Sequence, residues 1–131
     1  MIKVELQNLL DSMPIFQELI SQKLAARTAF KVNKIVKAIN KEYEIFDETR
    51  RSIIDKYGER DENGEIKSDE NGNLQIKKDQ TDEFVQELQG LLTTEVELNV
   101  SPLYIEEIED ATFTPAQMDI MSAFIDMDVE E

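Results

Sequence analysis

One periodic run, over residues 25–57, constrains this chain more than any other feature. At about 100° per residue, Val32, Ile35, Val36, Ile39, Tyr43, Phe46, Ile53, Ile54 and Tyr57 fall in one sector of a helical wheel. Lys23, Arg27, Lys31, Lys34, Lys37 and Lys41 fall in the opposite sector. This is the pattern of an amphipathic helix of about nine turns at 3.6 residues each. Such a helix must bury its apolar stripe, so the remaining segments read as short pieces laid against it.

Those pieces have their own signatures. Residues 2–6 and 95–100 alternate apolar and polar side chains, as half-buried strands do, and each needs a partner. They are expected to pair with each other. Residues 8–12 read as a turn, with Asp11 or Ser12 capping a helix whose first turn holds Pro14 and whose apolar face is Ile15, Phe16, Leu19, Ile20 and Leu24. A break is expected between Leu24 and Thr28, with Thr28 as N-cap of the long helix and Gly58 as its C-terminal glycine. Asp79 to Asp82 offers caps for a helix reaching Leu92. Thr114 and Pro115 form an N-cap and first-turn pair for a last helix carrying Met118, Ile120, Met121, Phe124 and Ile125.

Residues 58–72 hold three of the four glycines, and Asp-Glu-Asn-Gly occurs at 61–64 and again at 69–72. Asn-Gly between alternating runs is a strong hairpin signal, because a type I′ turn needs positive φ at both central residues. The expectation is one projecting hairpin over 58–78. The fold class expected is therefore mainly α with minor β: a single domain over 1–131, its long helix packed by two or three shorter ones. Residues 126–131 are read as a frayed acidic tail.

Charge is unevenly distributed. The net charge is −15, yet all 14 basic residues lie between Lys3 and Lys78, where 14 acids balance them. The other 15 acids fall in residues 79–131, which contain no Lys or Arg. The six cations between residues 23 and 41 are interrupted by no acid. The acidic C-terminal part, including Glu106, Glu107, Glu109 and Asp110, is expected to cover this basic stripe, within the chain or across a second copy. Direct nucleic-acid binding is disfavoured, since Phe30 is the one aromatic near the stripe and the net charge repels a polyanion. Arg50 falls on the apolar side of the long helix. It either meets a C-terminal carboxylate or keeps its head in water.

The chain contains no histidine and no cysteine, which removes the usual zinc ligands, the triad base and the commonest general acid–base group. No phosphate loop or nucleophile elbow is present. The chain is read as non-enzymatic, without cofactor or metal. Glu59, Asp61, Asn63 and Glu70 match positions 1, 3, 5 and 12 of a calcium-binding EF-hand loop, with Gly64 at position 6. A glutamate at position 1 and Asn-Gly-Asn after position 12 depart from that motif, and a solvated repeated turn explains the same residues better. The N-terminal MIKVELQNLL lacks the continuous apolar core of an export signal, and no apolar run reaches membrane-spanning length.

The order of features resembles a family of small uncharacterised proteins of tailed phages and prophages of Gram-positive bacteria. The resemblance is carried by Arg51-Ser-Ile-Ile-Asp-Lys-Tyr-Gly-Glu59, the Asp-Glu-Asn-Gly turns, Phe84-Val-Gln-Glu-Leu-Gln-Gly-Leu-Leu-Thr-Thr-Glu-Val-Glu-Leu98, and Phe113-Thr-Pro-Ala-Gln-Met118 before an apolar helix. It implies a viral protein working in the cytoplasm of a bacterial host and supplies no catalytic residues. The expected function is protein binding as a phage accessory or assembly factor, with a host or phage protein, or a second copy, as partner. The alternative is an acidic DNA mimic that inhibits a host nucleic-acid-binding or defence protein.

Overall fold

A computed structural model describes residues 1–126. In chain order the elements are β1 (Ile2–Glu5), α1 (Leu6–Ile20), α2 (Ala26–Tyr57), α3 (Thr81–Leu92), β2 (Glu95–Leu98), β3 (Leu103–Tyr104), α4 (Pro115–Met121) and β4 (Ile125–Asp126). Single 3-10 turns occupy Lys78–Gln80, Ile105–Ile108 and Ser122–Phe124. The fold is mainly helical with small strand pairings, as the periodicities indicate. No helix of the described residues is long and apolar enough to cross a membrane. The described residues form two compact units: residues 1–43 with 94–126, and residues 44–93.

In the first unit β1 and β2 pair antiparallel, with Ile2 opposite Leu98 and Val4 opposite Val96. Ile2, Val4 and Leu98 are buried while Lys3 and Glu97 face water, so the alternation read in both segments sets the register. The chain passes from β1 into α1 with no intervening turn. The turn expected at 8–12 is helix instead, and Pro14 stands in its interior. The backbone explains this: the Leu6 N–H donates to the Thr94 carbonyl at 2.9 Å, so the incoming end of β2 satisfies a helix-start donor that a side chain would otherwise cap. Ser12, offered as a cap, is fully buried and donates to the Leu9 carbonyl at 2.6 Å. A proline inside a helix costs about 3 kcal/mol. Burial of Leu6, Leu9, Ile15, Phe16 and Leu19 along one face offsets it.

The expected break follows, and α2 begins at Ala26. Thr28 therefore lies inside the first turn, buried, and is not the N-cap. Val32, Ile35 and Ile39 form the buried stripe of α2 in this unit. Thr114 caps α4 in a reciprocal pair: the Gln117 N–H donates to Thr114 Oγ1 at 3.1 Å and the Thr114 N–H to Gln117 Oε1 at 2.9 Å. Behind α4, Phe124 meets Phe16 edge to face with centroids 5.2 Å apart. A short parallel pairing, not expected from the sequence, sets Leu103 beside Ile125 and Tyr104 beside Asp126. Asp126 is thus a strand residue, and the rest of the tail expected at 126–131 lies outside the described residues.

In the second unit residues 58–77 form not one hairpin but three short extended segments closed on one another. The Glu59 N–H donates to the Gln75 carbonyl at 2.9 Å, Gln75 to Lys67 at 2.8 Å, and Lys67 to Glu59 at 2.7 Å. The donors are eight residues apart, the spacing of the two Asp-Glu-Asn-Gly copies. Each copy folds alike: Asp61 Oδ1 accepts from the Asn63 and Glu65 N–H groups, and Asp69 Oδ1 from those of Asn71 and Asn73. Gly64 and Gly72 sit at φ +78° and +82°, which glycine adopts without strain. A third turn of the same kind follows, with Gln80 N–H donating to the Lys77 carbonyl at 3.0 Å as Gly64 does to Asp61 and Gly72 to Asp69. There the chain runs on into α3.

Gly58 does not take the positive φ of a helix-ending glycine. It is needed for close approach, since a Cβ there would stand 2.7 Å from the Ile54 carbonyl oxygen and 2.9 Å from Ile66 Cγ2. Tyr57, buried, meets Phe84 of α3 edge to face at 6.1 Å. Its hydroxyl bonds to Glu87, which holds that carboxyl below its ordinary range against the effect of burial. The acids expected to cap α3 make no side-chain cap bond, although Asp82 and Glu83 sit in its first turn, where the helix dipole favours them.

Two glycine substitutions test this packing from opposite sides. Gly58→Ala is expected to destabilise the second unit by about 1–3 kcal/mol through overpacking. Gly90→Ala, inside α3 with nothing within 4 Å of the added carbon, is expected to stabilise it by about 0.5–1 kcal/mol. Urea denaturation of both variants gives the comparison, and amide exchange over residues 59–77 localises the Gly58 effect.

Candidate functional site

Six cations were read as one stripe, and the structure treats them unequally. Lys23 lies in the connection before α2, while Arg27, Lys31, Lys34, Lys37 and Lys41 lie on the helix. Only Lys31 is half-buried, its side chain 20% exposed; the other five are exposed. Lys31 Nζ donates to Glu107 Oε1 at 2.7 Å and lies 4.6 Å from the centre of the Tyr104 ring. The same carboxylate oxygen accepts the Tyr104 N–H at 2.9 Å. Burial pushes the Glu107 carboxyl up, but the Lys31 ammonium, the Tyr104 amide and the nearby Arg27 charge together hold it below its ordinary range. Among the described residues, cover by the acidic C-terminal part is thus realised at one position. Among the described residues Lys23, Lys34, Lys37 and Lys41 form no ion pair.

The four C-terminal acids separate in the same way. Glu107 is turned inward, whereas Glu106 in the 3-10 turn and Glu109 and Asp110 just beyond it are exposed. Arg50 pairs with Asp47 of its own helix at 2.7 Å and, among the described residues, with no C-terminal carboxylate. The four residues with EF-hand spacing are not gathered either. Asp61 accepts from its own turn, Glu59 faces Lys67 at 3.8 Å, and Glu70 belongs to the second turn. Among the described residues no three acids come together as a metal-binding group.

Beside the Lys31–Glu107 pair opens a cleft of about 360 Å³, lined by Phe30, Lys31, Lys34, Asn99, Val100, Ser101 and Tyr104. Two turns of α2 form one wall, and the loop after β2 with Tyr104 forms the other. Lys34 Nζ lies 4.8 Å from the centre of the Phe30 ring, a cation–π distance. Phe30 itself is 62% exposed. The loop residues and Tyr104 were not read as site residues, because nothing in a linear pattern joins residues 99–104 to residue 30. The one available signal was Phe30, an aromatic set among cations on the polar side of the helix.

No family model matches the chain, and neither a curated protein nor a solved structure shows significant similarity to it.

Replacing Lys31 by Met leaves a half-buried carboxylate without its cation, and should destabilise the first unit by about 1–3 kcal/mol. The pH dependence has a definite sign. A folded-state pKa below the unfolded value means that the pair's contribution is complete above the ordinary glutamate range and is lost as pH falls through the folded value. Glu107→Gln should remove that part of the acid limb. Denaturation midpoints of the wild type and this variant, compared between pH 7 and 3, should converge toward the acid end.

Proposed function

We propose that this chain is a non-enzymatic protein-binding factor, a phage or prophage accessory or assembly protein acting in the cytoplasm of its bacterial host. We place its binding surface on the basic face of α2. One observation carries the reading: in a chain of net charge −15, lysines on the polar side of α2 stay exposed and unpaired among the described residues. Exposed acids are numerous enough in this chain to neutralise them. A helix face left positive in such a molecule is matched by an acidic surface on another protein, whose encounter it steers.

The chemistry available favours binding over catalysis. There is no histidine or cysteine to serve as base or nucleophile. Among the described residues, the carboxylates held below their ordinary range are Asp47, by Arg50, Glu87, by the Tyr57 hydroxyl and then Lys56, and Glu107, by Lys31 and the Tyr104 amide. Each is engaged in pairing within the fold. The resemblance to phage proteins supplies the cellular setting.

The reading is tested with tagged full-length protein and a Lys23→Glu, Lys37→Glu, Lys41→Glu variant, used to capture partners from infected or lysogenic cells. The triple reversal is expected to lower recovery of the partner at least tenfold, with an unchanged circular dichroism spectrum. Equal recovery by both proteins would remove the basic face from the proposal. Reproducible hydrolytic turnover that disappears on replacing one carboxylate would remove the non-enzymatic part.

A further inference from the structure

We propose that the cleft between Phe30 and the loop 99–101 is an anchor for a short acidic peptide segment of the partner, seating a carboxylate on Lys34 and an apolar side chain against Phe30. The inference rests on the reading that the basic face of α2 engages an acidic protein, and names the point where that engagement becomes specific.

Charge is the first argument. Acids outnumber bases 29 to 14 in the chain, yet among the described residues no acid lines this cleft. Two lysines do, and they differ in state. The charge of Lys31 is compensated by Glu107 at 2.7 Å, so that residue is part of the wall. Among the described residues Lys34 has no carboxylate partner, and its ammonium rests over the Phe30 ring at 4.8 Å. The ring holds the cation near the cleft without neutralising it, so an arriving carboxylate meets a charge that is already placed.

Apolar surface is the second. A phenylalanine 62% exposed beside a cleft gains by being covered. An acidic residue next to an apolar one supplies both needs from adjacent positions of one strand of chain. The third argument is polarity and size. Asn99 and Ser101 are exposed on the facing loop and supply amide and hydroxyl groups to a peptide backbone. A space of about 360 Å³ admits two or three side chains rather than a docked helix. A nucleic-acid strand fits less well. It finds one exposed ring where stacked bases need successive ones, and carries no apolar side chain to cover Phe30.

The test uses fluorescence anisotropy with the full chain and a labelled peptide of alternating Glu, Leu and Phe. The same peptide with every Glu replaced by Gln, and a ten-residue thymidine oligonucleotide, are run beside it. The acidic peptide is expected to bind at least tenfold more tightly than the Gln peptide and the oligonucleotide. Lys34→Glu and Phe30→Ala should each weaken it at least tenfold, and each several-fold more than Lys41→Glu, on the same helix but outside the cleft. All three positions are exposed, and circular dichroism confirms that the variants remain folded. Equal losses for Lys34→Glu and Lys41→Glu would overturn the anchor and leave only diffuse attraction along the helix, in which case the basic-face reading survives. Undiminished binding by Phe30→Ala, equal binding of the Gln peptide, tighter binding of the oligonucleotide, or no binding by the wild type would each overturn it. Partner recovery unaffected by the triple reversal described above would instead overturn the broader reading.

Discussion

Val32, Ile35 and Ile39 lie on one line along α2, and water must be kept from them. At 3.6 residues per turn, a helix that turns this line inward turns residues 34, 37 and 41 outward. Burial of the first set and exposure of the second are therefore one geometric fact. The other buried side chains of the first unit, from Leu9, Phe16 and Leu19 on α1 to Met121 and Phe124 near α4, complete the apolar interior. Burying a side chain of this size contributes about 1.5–3 kcal/mol. That is enough to hold Pro14 in the middle of α1 and to make a side-chain cap at its start dispensable.

The polar side of α2 is governed by a weaker rule. An exposed ion pair contributes about 0–1 kcal/mol, so nothing compels the chain's excess acids to fold back over its lysines. Lys31 is the exception because it lies at the border of the buried stripe. There the Tyr104 ring lowers its exposure and the Glu107 carboxylate accepts two bonds at once. Desolvation makes that pairing matter, and among the described residues the exposed lysines at 23, 34, 37 and 41 are left without an ion pair. The asymmetry of charge along the sequence is therefore only partly architectural. The remainder is surface, which is why it bears on function.

The parts of this structure legible in the sequence are those where one local signal faces no competitor. The alternation of residues 2–6 and 95–100 gave two strands whose buried positions admit one register. Thr114-Pro115-Ala-Gln117 is a complete cap in itself, and it forms as written. Where a tertiary partner supplied what a local signal also offered, the reading failed. Asp11 and Ser12 are good caps, but the helix already starts at Leu6, whose N–H is taken by the Thr94 carbonyl, 88 residues beyond Leu6. Gly58 is a good helix stop, yet its role is set by how closely Ile54 and Ile66 approach. The cleft of Phe30 was illegible for the same reason: its second wall comes from a distant loop.

The closed segments 58–77 separate what the backbone supplies to a turn from what side chains must supply. A ring of three hydrogen bonds at eight-residue spacing asks little of the side chains, because donors and acceptors are all backbone. What asks for particular residues is the return of the chain after each turn. The aspartate must gather two amides and the glycine must take a positive φ, and both turns that return have both residues. At 77–80 the chain does not return but enters α3, so neither demand applies, and Lys-Lys-Asp-Gln keeps only the Gln80-to-Lys77 bond. The backbone bond thus recurs at 77–80, while the aspartate and glycine that a returning turn requires do not.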